Sequence, residues 1–593
     1  MESSNPRTVS RRRFLRVAML GVGLTAASSM LAACGQTAAP APAKPAETKP
    51  AESKPAAAAP AAAPAKPAES KPAASKPAEA KPAAAAAGAP VKGGMLTVGI
   101  YQEPPTLDPH VSGSATAGRV LKHIFDSLVA QPEPGKFEPS LATSWEVGEG
   151  GKTYTFKLRQ GVTFHDGTPF NAAAVKFSFD RIADPKTKSL SAIGQLGPYD
   201  NTQVVDESTV KVTFKRPHIS FLNNVSSANL APVSPAAAAK FGEDFGRNPV
   251  GTGPFKFKEW ISASHIGVER NDAFNWAPAY AGRTGPAYLD GIQFKFLIEP
   301  ATRMGALQKG EVLMIDQTPD QEVASLKGDS KWRIDTIEQL GAPQILPVNA
   351  SRSPTDDLAV RQALIYALDR KAMTNAVFAG VRPPAYGPLT PNTWTYLKDV
   401  ENMYGFSREK ANELLDGAGW KMNASTKLRE KDGQPLKIRY VTTDEAANKR
   451  PAEFAQAAWK QIGIDINLEA MAYDATAPIM QRGEHNIARI GYSATDPEFL
   501  YTLFHSDSIA GTNFNRTMTK YPEMDKMIDD MNAEPDRPKR QALSENIQRF
   551  VMDKALIIPL YLVVFVYTTA ASVQDVKFDL GASPYYYNIW LKA

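Results

Sequence analysis

Residues of the kinds that carry chemistry are sparse in this chain of 593 residues. The seven histidines, at 110, 123, 165, 218, 265, 485 and 505, show no spacing that would gather them around a metal. Neither the His-Glu-x-x-His pair of a zinc hydrolase nor the Gly-x-Ser-x-Gly of a serine nucleophile occurs. Gly150-Gly151-Lys152-Thr153 copies the end of a phosphate-cradling loop, but the first glycine of such a loop falls at Glu146. The stretch also lies between two strand-like segments, so it reads as a turn. His165, in His165-Asp166-Gly167-Thr168-Pro169, reads the same way. Cys34 is the single cysteine, so the chain beyond it has no thiol for a disulfide, a zinc site or nucleophilic attack. No catalytic residue, metal or cofactor is expected, and the chain does not read as an enzyme.

The first ninety residues read as an address and a leash. Arg11, Arg12, Phe14 and Leu15 form a twin-arginine pattern ahead of an apolar run from Val17 to Ala33. That run is too short and too rich in small residues for a permanent membrane span, and it ends in Leu31-Ala32-Ala33-Cys34. An export signal over 1–34 is expected, with cleavage before Cys34 and lipidation of its thiol. Residues 35–90 are almost entirely Ala, Pro, Lys, Glu and Ser, with Lys-Pro recurring every five residues over two stretches. Prolines bar a continuous helix and too little apolar bulk remains for a core, so this is an extended tether. At about 3.1 Å per residue it reaches at most on the order of 170 Å.

Charge follows the same division. The signal carries five Arg against one Glu (+4) and the tether seven Lys against four Glu (+3), so the total of +5 leaves −2 for residues 91–593. The basicity belongs to the address and the leash, and the body offers no basic face for nucleic acid.

The body alternates strand and helix signals, the pattern of an α/β protein. Met95 to Ile100 reads as a first strand, followed by the proline-stiffened loop Tyr101 to Pro109. A helix is expected from about Ala115 to Leu128 with Val120, Ile124 and Leu128 on one face. Trp145-Glu146-Val147 starts a strand, and Tyr154, Phe156 and Leu158 alternate with polar residues in the next one. Val162-Thr163-Phe164 extends again. Asn171 then caps a helix with the stripe Ala172, Val175, Phe179 and Ile182. Residues Leu358 to Gly380 read as one amphipathic helix carrying Val360, Ala363, Leu364, Ala367 and Leu368. Leu556 to Thr568 is strongly apolar, but it is short and contains Pro559, so it reads as a buried strand.

Several of these stretches carry a family likeness. "SWEVGEGGKTYTFKLRQGVTFHDGTPFNAAAVKFSFDR", "PVGTGPFKF", "DDLAVRQALIYALDRKAM" and "SREKANELLDGAGW" resemble blocks of the family 5 extracellular solute-binding proteins. These are dipeptide, oligopeptide and nickel receptors of ABC importers. The resemblance covers about residues 93–590. It implies a periplasmic-binding-protein-like α/β fold of type II (cluster C-like), with two lobes, mixed sheets and an inserted extra domain. The expected plan is lobe I from 91–128, 247–345 and 565–593, an inserted α/β domain over 129–246, and lobe II over 346–564. It further implies a monomer, on the outer side of the membrane and anchored through Cys34, that captures a solute between its lobes and hands it to a permease. A peptide-like solute is expected first, an oligosaccharide or nickel chelate next, and an exported hydrolase is the remote alternative.

The resemblance also nominates site residues. Peptide binders of the family place an aspartate two or three residues before an Asp-Pro to pair with the peptide's α-ammonium. Here the segment reads Gly491-Tyr492-Ser493-Ala494-Thr495-Asp496-Pro497 and is about three residues shorter, so only Asp496 remains. Asp496 is expected either to face the cleft or to cap its own loop, and Tyr492 either to stack on a solute ring or to pack in the core. Gln102 and Glu103 are placed at the cleft by analogy with the loop after the first strand. Trp394, in a loop, is a candidate cleft wall, and Asn513 and Phe514 are weaker candidates.

Overall fold

The computed structural model describes residues 89–509 and 514–592. The expected signal, tether and Cys34, with Arg11, Arg12, Phe14 and Leu15, lie outside the described residues, as does Asn513. Among the described residues no helix is long and apolar enough to cross a membrane.

Lobe I is built on a seven-stranded mixed sheet. Its order is Trp332–Glu338, Val564–Ala570, Met314–Ile315, Met95–Ile100, Gly291–Phe296, His265–Arg270 and Phe255–Ile261. The first strand runs parallel to both of its neighbours. Lobe II has its own sheet, in which Gly341–Pro347 lies between Ile490–Ser493 and Ile557–Tyr561. Bridges from Ile487 to Val348 and to Tyr440 join it to the parallel pair Lys437–Thr443 and Asp465–Met471. The inserted domain carries a four-stranded antiparallel sheet, ordered Ala142–Gly148, Thr153–Leu158, Thr209–Phe214 and Tyr199–Asp206.

Local sequence explains most elements. Asn171 accepts from the Ala174 amide at 3.1 Å and starts the helix Ala172–Ala183, whose stripe Ala172, Val175, Phe179 and Ile182 is wholly buried. Tyr154 and Phe156 are buried while Lys157 is exposed, as the period-two pattern requires. Gly433 has φ +74° and turns the short hairpin before the strand Lys437–Thr443.

Three expectations need correction. The first helix is Ala115–Ile124 and stops short of Leu128, because Phe125 turns extended and the Ile124 carbonyl accepts from the Gly253 amide. Val162–Phe164 forms only an isolated bridge, Thr163 to Pro169. Residues 358–380 form two helices, Leu358–Tyr366 and Arg370–Phe378, because Asp369 caps the second by accepting from the Ala372 amide at 2.9 Å. The chain passes from the seven-stranded sheet to the sheet containing Gly341–Pro347 between Glu338 and Gly341, and we place there the crossover expected at 345. The return path is the apolar 556–568 run. It divides into Ile557–Tyr561 in one sheet and Val564–Ala570 in the other, so it is a crossover as well as core.

Two hydrophobic clusters follow this plan. The larger contains lobe I and inserted-domain residues together, such as Leu96, Phe294, Tyr154 and Phe179. The second draws its buried residues from 342 to 561 alone.

Candidate functional site

In open α/β sheets the ligand crevice lies outside the carboxyl ends of the strands. In lobe I those ends are Ile100 and Ile315, followed by half-buried Tyr101 and fully buried Asp316. Asp316 is ion-paired to Arg119 from the helix Ala115–Ile124, and the Arg119 guanidinium lies 5.2 Å from the Tyr101 ring and 5.7 Å from Phe565. Burial pushes the Asp316 carboxyl up, against the pull of Arg119 and Arg303. Burial also raises the Tyr101 phenol. Here the Tyr101 ring lies over a buried cluster in which one carboxylate, Asp316, faces both Arg119 and Arg303.

The lobe II wall differs. The strand Lys437–Thr443 ends beside the N-terminus of the helix Ala446–Lys460, and Ile487 bridges Tyr440 in parallel. That register puts Arg489 level with the carboxyl end of the strand. Its side chain is half-buried and, among the described residues, hydrogen-bonds only to neutral Gln344 Oε1, at 3.3 Å. No carboxylate among the described residues lies within 4 Å of it. Sequence reading missed Arg489, although a lone cation in the apolar run Ile487-Ala488-Arg489-Ile490 was a usable signal.

Of the residues nominated from sequence, Glu103 is spent within lobe I. It accepts from Trp260 Nε1 at 2.8 Å and the Ala263 amide at 2.9 Å, and it pairs with Arg247 at 3.9 Å. Gln102 beside it is exposed. Tyr492 stacks on Phe499 with centroids 5.8 Å apart and meets Phe514 edge-on at 6.2 Å, and burial raises its phenol. Phe514 is half-buried, with the Arg516 guanidinium 5.6 Å from its ring.

The structure brings Trp394 and Asp496 onto one cavity of about 150 Å³ between lobe II and the inserted domain. Arg540 holds Asp496 in a two-point pair at 2.8 and 2.5 Å. Asp496 also accepts from Ser220 Oγ at 3.0 Å and, capping its own loop, from the Glu498 amide at 3.0 Å. Both carboxylate oxygens are therefore committed. Next to it Thr495 Oγ1 donates to Asn223 Oδ1 at 2.6 Å. The partners Ser220, Asn223, Arg537 and Arg540 carry no signal in the sequence, because each is recognised only by what it meets far along the chain.

The buried histidines belong to the scaffold. Arg181 donates to His110 Nδ1 at 2.9 Å, so the ring proton sits on Nε2, which donates to the Ala231 carbonyl at 3.0 Å. Burial lowers His110 to about 4, His123 to about 3 and His485 to about 4, so all three are neutral near pH 7. His165 Nε2 donates to the Gly253 carbonyl at 3.0 Å, which makes it a turn residue in fact. Among the described residues no group of three or more His, Cys, Asp or Glu is placed to hold a metal.

Comparison with known proteins agrees with this architecture. Residues 136–511 match the bacterial extracellular solute-binding proteins, family 5 (middle region). The chain is 30% identical over 455 residues to the glutathione-binding protein GsiB of Pectobacterium atrosepticum, covering 75% of this chain and 84% of the relative. Its fold is similar to that of the periplasmic binding protein DppA of Helicobacter pylori in complex with the peptide STSA. The TM-score there is 0.71 at 25% identity, covering 85% of this chain and 99% of the other. It is also similar to NikA of Brucella suis in complex with Fe(III)-EDTA, with a TM-score of 0.73 at 25% identity, covering 84% and 100%. The chain belongs to the family 5 bacterial extracellular solute-binding proteins.

Proposed function

We propose that this protein is the solute receptor of an ABC importer, held outside the membrane through a lipid on Cys34, and that its solute is a short peptide-like carboxylate. The receptor works as a monomer. It closes its lobes around the solute, keeps it intact and presents the closed form to the permease. The observation that carries the ligand class is Arg489, a half-buried cation on the lobe II wall whose one hydrogen-bond partner among the described residues is a neutral amide. Glu445 acts on it only from beyond 4 Å, and a guanidinium without a close counter-ion favours a carboxylate that supplies one. The ligands named for the relatives share that chemistry, since glutathione, a peptide and EDTA all bear carboxylates. A metal would on this reading arrive inside a chelate, as the Fe(III)-EDTA complex of NikA does. Because Asp496 is committed to Arg540, the solute's amino group is not anchored there.

Calorimetry on the 91–593 body tests this with reduced glutathione, tri-alanine, its carboxy-terminal amide and N-acetyl-tri-alanine. Acetylation should change affinity little and amidation should weaken it. A charge-assisted hydrogen bond is worth about 1.5–3 kcal/mol, so Arg489→Gln should cost roughly tenfold to a hundredfold. Equal binding of acid and amide would refute the carboxylate reading. Any turnover of a bound compound, followed by mass spectrometry, would refute the receptor.

A further inference from the structure

The cavity between the inserted domain and lobe II holds two arginines one turn apart on the helix Arg537–Asp553, in opposite electrostatic states. Arg540 is buried and neutralised by Asp496. Arg537 is fixed without being neutralised. Its guanidinium lies 4.4 Å from the Trp394 ring centroid and donates to the Pro134 carbonyl at 3.1 Å. It also packs against Gly135, at the turn of the hairpin Val129–Glu133 and Lys136–Pro139. Gly135 has φ +73°, as the tight hairpin turn requires, and its bare Cα lies beneath the guanidinium. No carboxylate among the described residues lies within 4 Å of Arg537. A guanidinium oriented before the anion arrives loses less freedom on binding.

The rest of the cavity suits one small organic group. Its volume of about 150 Å³ equals that of roughly five waters at about 30 Å³ each. Phe137, Ile219 and Trp394 supply apolar walls, and Asn223 is polar and neutral. We propose that this cavity is a recognition pocket for a carboxylate-bearing, residue-sized part of the solute, with Arg537 as its anion partner. The proposal deepens the peptide-like reading and rests on it. It places a second anion contact at the far end of the 487–496 segment from Arg489, so the preferred solute carries more than one carboxylate.

The test uses Glu-Ala-Ala-Ala, its Gln-Ala-Ala-Ala twin and the carboxy-terminal amide of each, titrated into wild type, Arg537→Gln and Arg537→Lys. Arg537 is exposed and outside both hydrophobic clusters, so the variants should fold as wild type does. The expected result is that Arg537→Gln loses at least tenfold in affinity for one carboxylate and little for its neutral twin, with Arg537→Lys intermediate. A loss seen with Glu but not Gln assigns a side-chain carboxylate, and a loss seen with acids but not amides assigns the terminus. Unchanged binding of all four probes, or an equal loss on all four, would overturn the pocket while leaving the peptide-like receptor standing. Failure of wild type to bind any of the four would overturn the peptide-like reading and the pocket with it.

Discussion

The inserted domain meets its two neighbours in contrasting ways. Against lobe I it shares one hydrophobic cluster and a knot of backbone contacts. The His165 amide donates to the Gly251 carbonyl at 2.9 Å and the His165 ring to the Gly253 carbonyl at 3.0 Å, while the Gly253 amide, donating to Ile124 at 2.9 Å, fixes that loop within lobe I. Against lobe II it shares neither of the two main clusters, and the contacts are polar and made mostly by side chains: Thr495 to Asn223, Asp496 and Arg540 to Ser220, Arg537 to Pro134. A fused core does not come apart without unfolding, but side-chain hydrogen bonds exchange with water at little net cost. On the receptor reading, lobe I and the insertion should act as one body, and the seam with lobe II is where closing contacts should form and break.

The largest expected effect lies in the knot. A Cβ at Gly253 would come within 2.6 Å of the His123 carbonyl oxygen and 2.7 Å of the Ile124 carbonyl carbon, both backbone atoms that cannot move aside. Gly253→Ala should cost about 3 kcal/mol or more in denaturant unfolding, and Gly253→Val should yield no folded protein. Gly118, inside the neighbouring helix Ala115–Ile124 with open space where its Cβ would lie, is the control. Gly118→Ala should stabilise by about 0.5–1 kcal/mol. If both alanines behave alike, close backbone packing is not what fixes the lobe I side of the knot.

Acid should attack the fused cores before the seam. His110 and His123 lie in the first body and His485 in lobe II, all three fully buried and lowered by burial to about 4, 3 and 4. A lowered folded pKa means the unfolded chain binds the extra protons between those values and about 6.5, so stability is complete above about 6.5 and falls as pH drops toward 4. At pH 5 each ring costs about 2 kcal/mol relative to neutral pH. Thermal melts between pH 7.5 and 4.5 should show this slope, and His123→Phe should reduce it by about one proton. A flat profile would mean the rings take up protons while still folded.

How much of this was legible beforehand follows from the same contrast. The knot and its block could be read from sequence because their constraints are local. Alternation at Tyr154, Phe156 and Leu158 dictates a strand and Asn171 a cap. The single long helix over 358–380 was misread because a continuous apolar stripe hid the competing cap at Asp369. The site was less legible. Asp496 could be named, but not its partner Ser220, 276 residues away, nor could Pro134 be linked to Arg537 across 403 residues. Glu103 was drawn to the cleft by analogy, although the Trp260 indole and the Ala263 amide hold it inside lobe I. Charges that decide a site through what they lack, as Arg489 and Arg537 do, leave no pattern until the fold has placed every carboxylate.

The smallest expected effect is the most informative about the seam. Thr495→Val keeps the shape of the side chain and removes the hydroxyl that donates to Asn223 Oδ1 at 2.6 Å. That bond joins two bodies and lies within neither, so its loss should leave the melting temperature of the unliganded protein unchanged. Closure contributes to affinity, so the closed form loses about 1 kcal/mol and binding weakens about fivefold. Asn223→Ala should give a similar loss, and the double variant little more than either single, because both remove the same contact. If Thr495→Val instead lowered the melting temperature and left affinity intact, the hydroxyl would be serving the core of lobe II. The seam would then be a fixed interface like the knot, and closure would have to be sought at the Glu338–Gly341 and Tyr561–Val564 crossovers alone.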